Sequence, residues 1–115
     1  MCNKQELLEI LKKMTESYRK VFGKDLRKIY LYGSYARGDN QESSDIDIAA
    51  IADGDRIKLQ QKLKKIWDVS ADLELAYGVI ISPTVIPTKE FEQYENDLPY
   101  YRNILKEGVE VGAQK

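Results

Sequence analysis

Two carboxylates separated by one apolar residue, Asp45 and Asp47 in the run Asp45-Ile46-Asp47-Ile48, are the residues of this chain best suited to chemistry. The alternation reads as a β-strand, so both acids leave one face while Ile46 and Ile48 leave the other. Two acids on one face cannot both be core residues. Their like charges repel unless a cation lies between them, and hard oxygen ligands of this kind suit Mg²⁺ carrying substrate phosphates. Upstream, Gly33 and Ser34 are separated from Asp45 by ten residues. Backbone without a Cβ at Gly33 can approach a phosphate closely, and Ser34 adds a hydroxyl and an amide. If Tyr35 to Gly38 begins one helical turn, its unbonded N–H groups offer an anion the positive end of a helix. Arg37 is a cation on the same turn, a candidate for charge compensation on phosphates. A surface arginine paired with Asp39 or Glu42 is the other reading.

Gly33-Ser34, ten intervening residues, then Asp45-Ile46-Asp47 is similar to the signature of the minimal nucleotidyltransferases of the polymerase-β superfamily. The resemblance implies that Gly33 and Ser34 hold the β- and γ-phosphates of a nucleoside triphosphate and that Asp45 and Asp47 ligate Mg²⁺. In such a site the metals neutralise the triphosphate and activate an attacking hydroxyl, so that a nucleoside monophosphate is transferred and pyrophosphate leaves. Active members commonly carry a third carboxylate on a later strand. The corresponding run here, Val79 to Ile86, has none, and Ser82 and Thr84 are the only polar side chains on what should be its inward face. Asp72 and Glu74 precede it on a helix, where solvation is the ordinary fate of an acid. Nucleotide binding is therefore better supported than turnover.

The elements that must position these residues are legible in the pattern. Lys28-Ile29-Tyr30-Leu31-Tyr32 is β-branched and aromatic enough for a strand leading into Gly33. Before it, Leu7, Leu8, Leu11, Met14, Tyr18, Val21 and Phe22 recur at helical spacing, with Gly23 as the stop. After the acids, Asp55 is placed to cap a long helix whose apolar positions are Leu59, Leu63, Ile66, Trp67, Leu73 and Tyr77. Lys58, Lys62, Lys64 and Lys65 read as its solvated face, not a nucleic-acid patch, because no aromatics are threaded among them for stacking. Gly78 ends that helix, and Val79 to Ile86 is a third strand, at an edge or bulged because Pro83 lacks a ladder donor. Thr88 is placed to cap a helix of Lys89 to about Asp97, Pro99 breaks it, Tyr100 to Lys106 forms another, and Gly108 to Val111 adds a short strand. Phe91, Tyr94, Leu98, Tyr100 and Tyr101 suggest an exposed partner patch. The loop Asp39 to Ser44 reads as the mobile part of the site, and Gly112 to Lys115 as a frayed end.

The order gives a small mixed α/β (α+β) sheet covered by helices on one side, which agrees with the minimal nucleotidyltransferase fold that the resemblance implies. At 115 residues the chain, 1–115, is expected to be a single domain that buries roughly two thirds of its unfolded surface. A net charge of −1 gives no general pull toward nucleic acid or membrane, so no direct nucleic-acid binding is expected. With one cysteine, Cys2, and no histidine, an internal disulfide, a zinc site and a His-based triad are excluded, and acid-base chemistry falls to carboxylates. No apolar run is long enough to span a bilayer, which leaves the cytoplasm as the default.

Stand-alone chains of this kind resemble the antitoxin halves of two-gene modules whose partner is an all-helical HEPN-type toxin. That resemblance implies ATP as the donor and adenylylation of a partner tyrosine. A nucleotide-binding module that neutralises its partner by contact alone is the alternative, fed by the missing third carboxylate. A drug-modifying transferase would need an acceptor pocket that this length hardly provides.

Overall fold

Asn3 caps the first helix. Its side chain accepts from the Glu6 amide at 2.8 Å and the Glu6 carboxylate accepts from the Asn3 amide at 3.0 Å, satisfying two donors that the first turn leaves over. The computed structural model describes residues 3–38 and 45–111, the Ser34 side chain excepted. The expectations for Cys2, for the 39–44 loop and for residues 112–115 lie outside them. Helix α1 is Lys4–Phe22, followed by a 3-10 turn, strand β1 (Leu26–Tyr32), the one-turn helix α2 (Ser34–Arg37), strand β2 (Asp45–Ala52) and the long helix α3 (Arg56–Tyr77). Strand β3 (Ile80–Pro87), helices α4 (Thr88–Tyr94) and α5 (Pro99–Glu107) and the two-residue strand β4 (Val109–Glu110) complete the chain.

The sheet order is β3-β2-β1-β4. Strand β1 runs antiparallel to β2 and β4, whereas β2 and β3 are parallel, which a strand pair can be only if a crossover such as α3 returns the chain to the same end. Pro83 therefore sits on an edge strand, as its missing donor requires.

One face of the sheet carries the main core. Ile46, Ile48 and Ala50 of β2, with Ile29 and Leu31 of β1, meet Ile10, Met14 and Tyr18 of α1 and Leu59, Leu63 and Ile66 of α3. The helix stripe in α3 runs Leu59, Leu63, Ile66, Ser70, Leu73, so Trp67 lies one residue, about 100°, off it and remains 48% exposed, contrary to its expected place in the core. Lys58, Lys62, Lys64 and Lys65 are all exposed. Tyr18 crosses this core to the third strand. Its hydroxyl donates to the Thr84 carbonyl at 2.9 Å, and burial pushes the phenol well above the usual tyrosine range. Tyr18→Phe keeps the packing but removes that carbonyl's side-chain donor. We expect a loss of about 1 kcal/mol, read as a lower urea midpoint with unchanged denaturant slope.

The other face is not bare, which corrects the expectation of helices on one side. Ala49 and Ile51 of β2, Tyr30 of β1 and Ile86 of β3 pack against Phe91 of α4 and Tyr101 and Ile104 of α5. Phe91 and Tyr101 are thus core residues, not members of an exposed patch; Tyr94, Leu98 and Tyr100 are the exposed ones. Thr88 is the first residue of α4 instead of its cap, because Pro87 precedes it with no side-chain cap bond. On β2 this second face reads Asp45, Asp47, Ala49, Ile51, and its apolar cluster takes in only the last two. The two acids are left at the open end. Among the described residues no helix is long and apolar enough to cross a membrane.

Candidate active site

Strand β1 ends at Tyr32, which lies opposite Asp47 in the antiparallel register. The next residue, Gly33, turns the chain with φ +76°, a conformation L side chains rarely adopt. A Cβ there would stand 2.5 Å from Asp47 Oδ2, closer than any real contact. The Gly33 carbonyl accepts the amides of Ala36 and Arg37, both at 3.1 Å, and so closes α2. The amides of Ser34 and Tyr35 precede the first bond of that turn. The expected strand, glycine turn and single helical turn are thus in place beside the acids.

Asp45 and Asp47 are the first and third residues of β2, both partly exposed, with Ile46 and Ile48 fully buried behind them. Burial first, and the charge of Asp45 second, push the Asp47 carboxyl above the usual carboxylate range, while Arg37 acts in the opposite direction. A dication between the carboxylates would remove the second cause and reverse the balance. Two partly exposed carboxylates on one strand face are hard oxygen donors, and Asp45 and Asp47 would suit a hard cation such as Mg²⁺.

Strand β3 brings Ser82 opposite Asp47 in the parallel register, and the Ser82 hydroxyl donates to Asp45 Oδ2 at 3.0 Å. No acid of β3 joins them. Among the described residues no group of three or more His, Cys, Asp or Glu side chains is placed to hold a metal. Glu74 accepts the Ile81 amide at 2.8 Å and so secures the start of β3, while Asp72 is exposed.

Arg37, the last residue of α2, pairs with Glu107 of α5 at 3.2 Å, both side chains being well exposed. The partners considered in the sequence, Asp39 and Glu42, lie outside the described residues. Helix α5 also touches the site at its other end. The hydroxyls of Tyr32 and Tyr100 are 2.7 Å apart, with the rings edge to face at 5.8 Å. Burial, the bond to Tyr100 and the charge of Asp47 all keep the Tyr32 phenol protonated far above its ordinary range. Tyr100 and Glu107 are neighbours of the site that the sequence does not reveal. No local pattern announces contacts between residues roughly seventy positions apart.

The family profile described as polymerase beta, nucleotidyltransferase matches residues 5–111. Two Methanocaldococcus jannaschii proteins, each bearing the name "putative protein adenylyltransferase", are similar along most of their length. MJ0604 is 33% identical over 98 residues, covering 85% of this chain and 90% of its own. MJ0141 is 32% identical over 96 residues, covering 79% and 94%. Among solved structures, a toxin-antitoxin with AMP-PNP superposes with TM-score 0.54 at 20% identity, over 99% of this chain and 76% of that one. A variant of the toxin-antitoxin MntA-HpeT superposes with TM-score 0.53 at 18% identity, over the same shares. At such identity these two likenesses bear on the fold alone.

Proposed function

The chain belongs to the polymerase β nucleotidyltransferase family, and from that premise we propose that it transfers AMP from ATP to a hydroxyl of a partner protein. The observation that carries the proposal is the meeting of the Gly33 turn with Asp45 and Asp47 on one open strand face. Gly33 and Ser34 receive the β- and γ-phosphates, Arg37 compensates their charge, and Asp45 and Asp47 hold Mg²⁺. When bound, the metal neutralises the triphosphate and favours the alkoxide of the acceptor. The acceptor oxygen gives up its proton to solvent and bonds to the α-phosphorus as the bond to the β-phosphate oxygen breaks, and pyrophosphate departs with its charge spread over the turn. The names of the archaeal relatives support adenylylation of protein. The toxin-antitoxin assemblies with which it shares a fold agree with an antitoxin role in a two-gene module, and the resemblance of its motif implies that the partner is an all-helical HEPN-type toxin met in the cytoplasm.

A second reading, neutralisation by contact alone with the nucleotide pocket retained, is favoured by one observation. The third oxygen position around the acids holds a hydroxyl instead of a carboxylate. The experiment that separates the two is intact-mass analysis of the neighbouring gene's product after incubation with the chain, ATP and Mg²⁺. A gain of one or more adenylyl groups that disappears with Asp45→Asn is expected. Tight binding of an unmodified partner would replace the transfer reading with the contact one.

A further inference from the structure

Ser82 has a role that neither the motif nor the relatives assign. Its hydroxyl oxygen lies 3.0 Å from Asp45 Oδ2 in a partly buried position, and its residue stands beside Asp47 in the parallel register. A serine hydroxyl has one proton to give, and an ionised carboxylate can only accept, so the direction of this bond is settled by chemistry. The bond engages one oxygen of Asp45, Oδ2. Serine here also keeps the site's protein charge at two carboxylates.

We propose that Ser82 is a positioning residue, which orients Asp45 for the cation and, by being neutral, limits this site to one firmly held dication per nucleotide. The proposal rests on the reading of Asp45 and Asp47 as the metal site. Its physical basis is twofold. A carboxylate held by a donor presents its remaining oxygen in a single orientation, and loss of such a supporting donor ordinarily weakens a metal by about tenfold or more. Two dications bring four positive charges, which two carboxylates and the triphosphate share less well than three carboxylates would. The hydroxyl therefore selects for the cation that travels with the triphosphate and against a second one.

The test is Mn²⁺ titration of the full chain, with AMP-PNP as a non-transferable nucleotide, read by the electron paramagnetic resonance of free Mn²⁺. The parent should retain one tightly held Mn²⁺ per chain. Ser82→Ala should hold it about tenfold more weakly at an unchanged melting temperature, and Ser82→Thr, which keeps the hydroxyl, should restore the parent's affinity. Ser82→Asp should hold two. Equal affinity in parent and Ser82→Ala overturns the positioning role, and two tight sites in the parent overturn the limit. Asp47→Asn, run alongside, separates this from the site reading itself. If Mn²⁺ and AMP-PNP still bind that variant as they bind the parent, the metal lies elsewhere and the failure belongs to the proposed function. Circular dichroism of each variant verifies that the fold is intact.

Discussion

Replacing Asp45 and Asp47 together with asparagine should abolish Mg²⁺-dependent ATP binding and leave the chain folded, with a melting temperature equal to or above the parent's. The first half follows from charge. An amide keeps the carboxylate's shape and one acceptor oxygen but removes the anion that a hard cation requires. The second half follows from the site's own electrostatics. In the cation-free chain, burial and Asp45 already disfavour the ionised form of Asp47. A group whose folded-state pKa is raised opposes folding at pH values above it, where its charged form must be carried, and ceases to do so as the pH falls and it protonates. Asparagine resembles that neutral form at every pH, so the double variant escapes the penalty around pH 7. It also keeps an acceptor for Ser82. Calorimetry with and without Mg²⁺ is the measurement for binding, and thermal melting for stability. Unchanged nucleotide affinity in the double variant would remove the metal-site proposal, and a collapsed fold would show that these acids are structural.

Gly33→Val is the single substitution with the next largest expected effect, and it should eliminate triphosphate binding. Two causes act together. At φ +76° a β-branched residue sits in backbone territory that costs on the order of 1–3 kcal/mol. Its Cβ would also fall 2.5 Å from Asp47 Oδ2, so the carboxylate has to swing away from the position it shares with Asp45. The damage therefore reaches the proposed metal ligand as well as the proposed phosphate turn. Because valine also strains the backbone, Gly33→Ala is the companion variant. It carries the same Cβ with less strain, and it should retain the fold while losing most Mg²⁺-ATP affinity in the same calorimetric assay. Parent-like affinity in a folded Gly33→Ala chain would mean that neither the glycine nor the exact place of Asp47 matters to the nucleotide.

Much of the site was legible from residues close in sequence because its geometry is local. A period of two places Asp45 and Asp47 on one strand face whatever surrounds the strand, and the glycine turn leads from strand to helical turn within four residues. The helical stripes of α1 and α3 are likewise mostly visible, although Leu8, expected in the α1 stripe, is 58% exposed and the fully buried Ile10 belongs to it instead. Trp67 was misplaced because a stripe one residue wide is beyond what spacing resolves when a small polar residue, Ser70, fills the true slot.

What the sequence by itself determined, then, is the order of elements, the face on which both acids stand, the turn that precedes them and the lack of an acid on the third strand. Tertiary structure alone decided the rest. It set Ser82 against Asp45 by choosing a parallel register, folded Phe91 and Tyr101 under the sheet, and brought Tyr100 and Glu107 to the rim of the site. The physical reason is the range of the interactions. Strand alternation and turn conformation are governed by neighbouring dihedrals and side-chain sterics, which the local residues carry with them. A hydroxyl 37 positions away from its acceptor, or a ring that could face water or core, is placed only when the whole chain finds the packing that buries the most apolar surface.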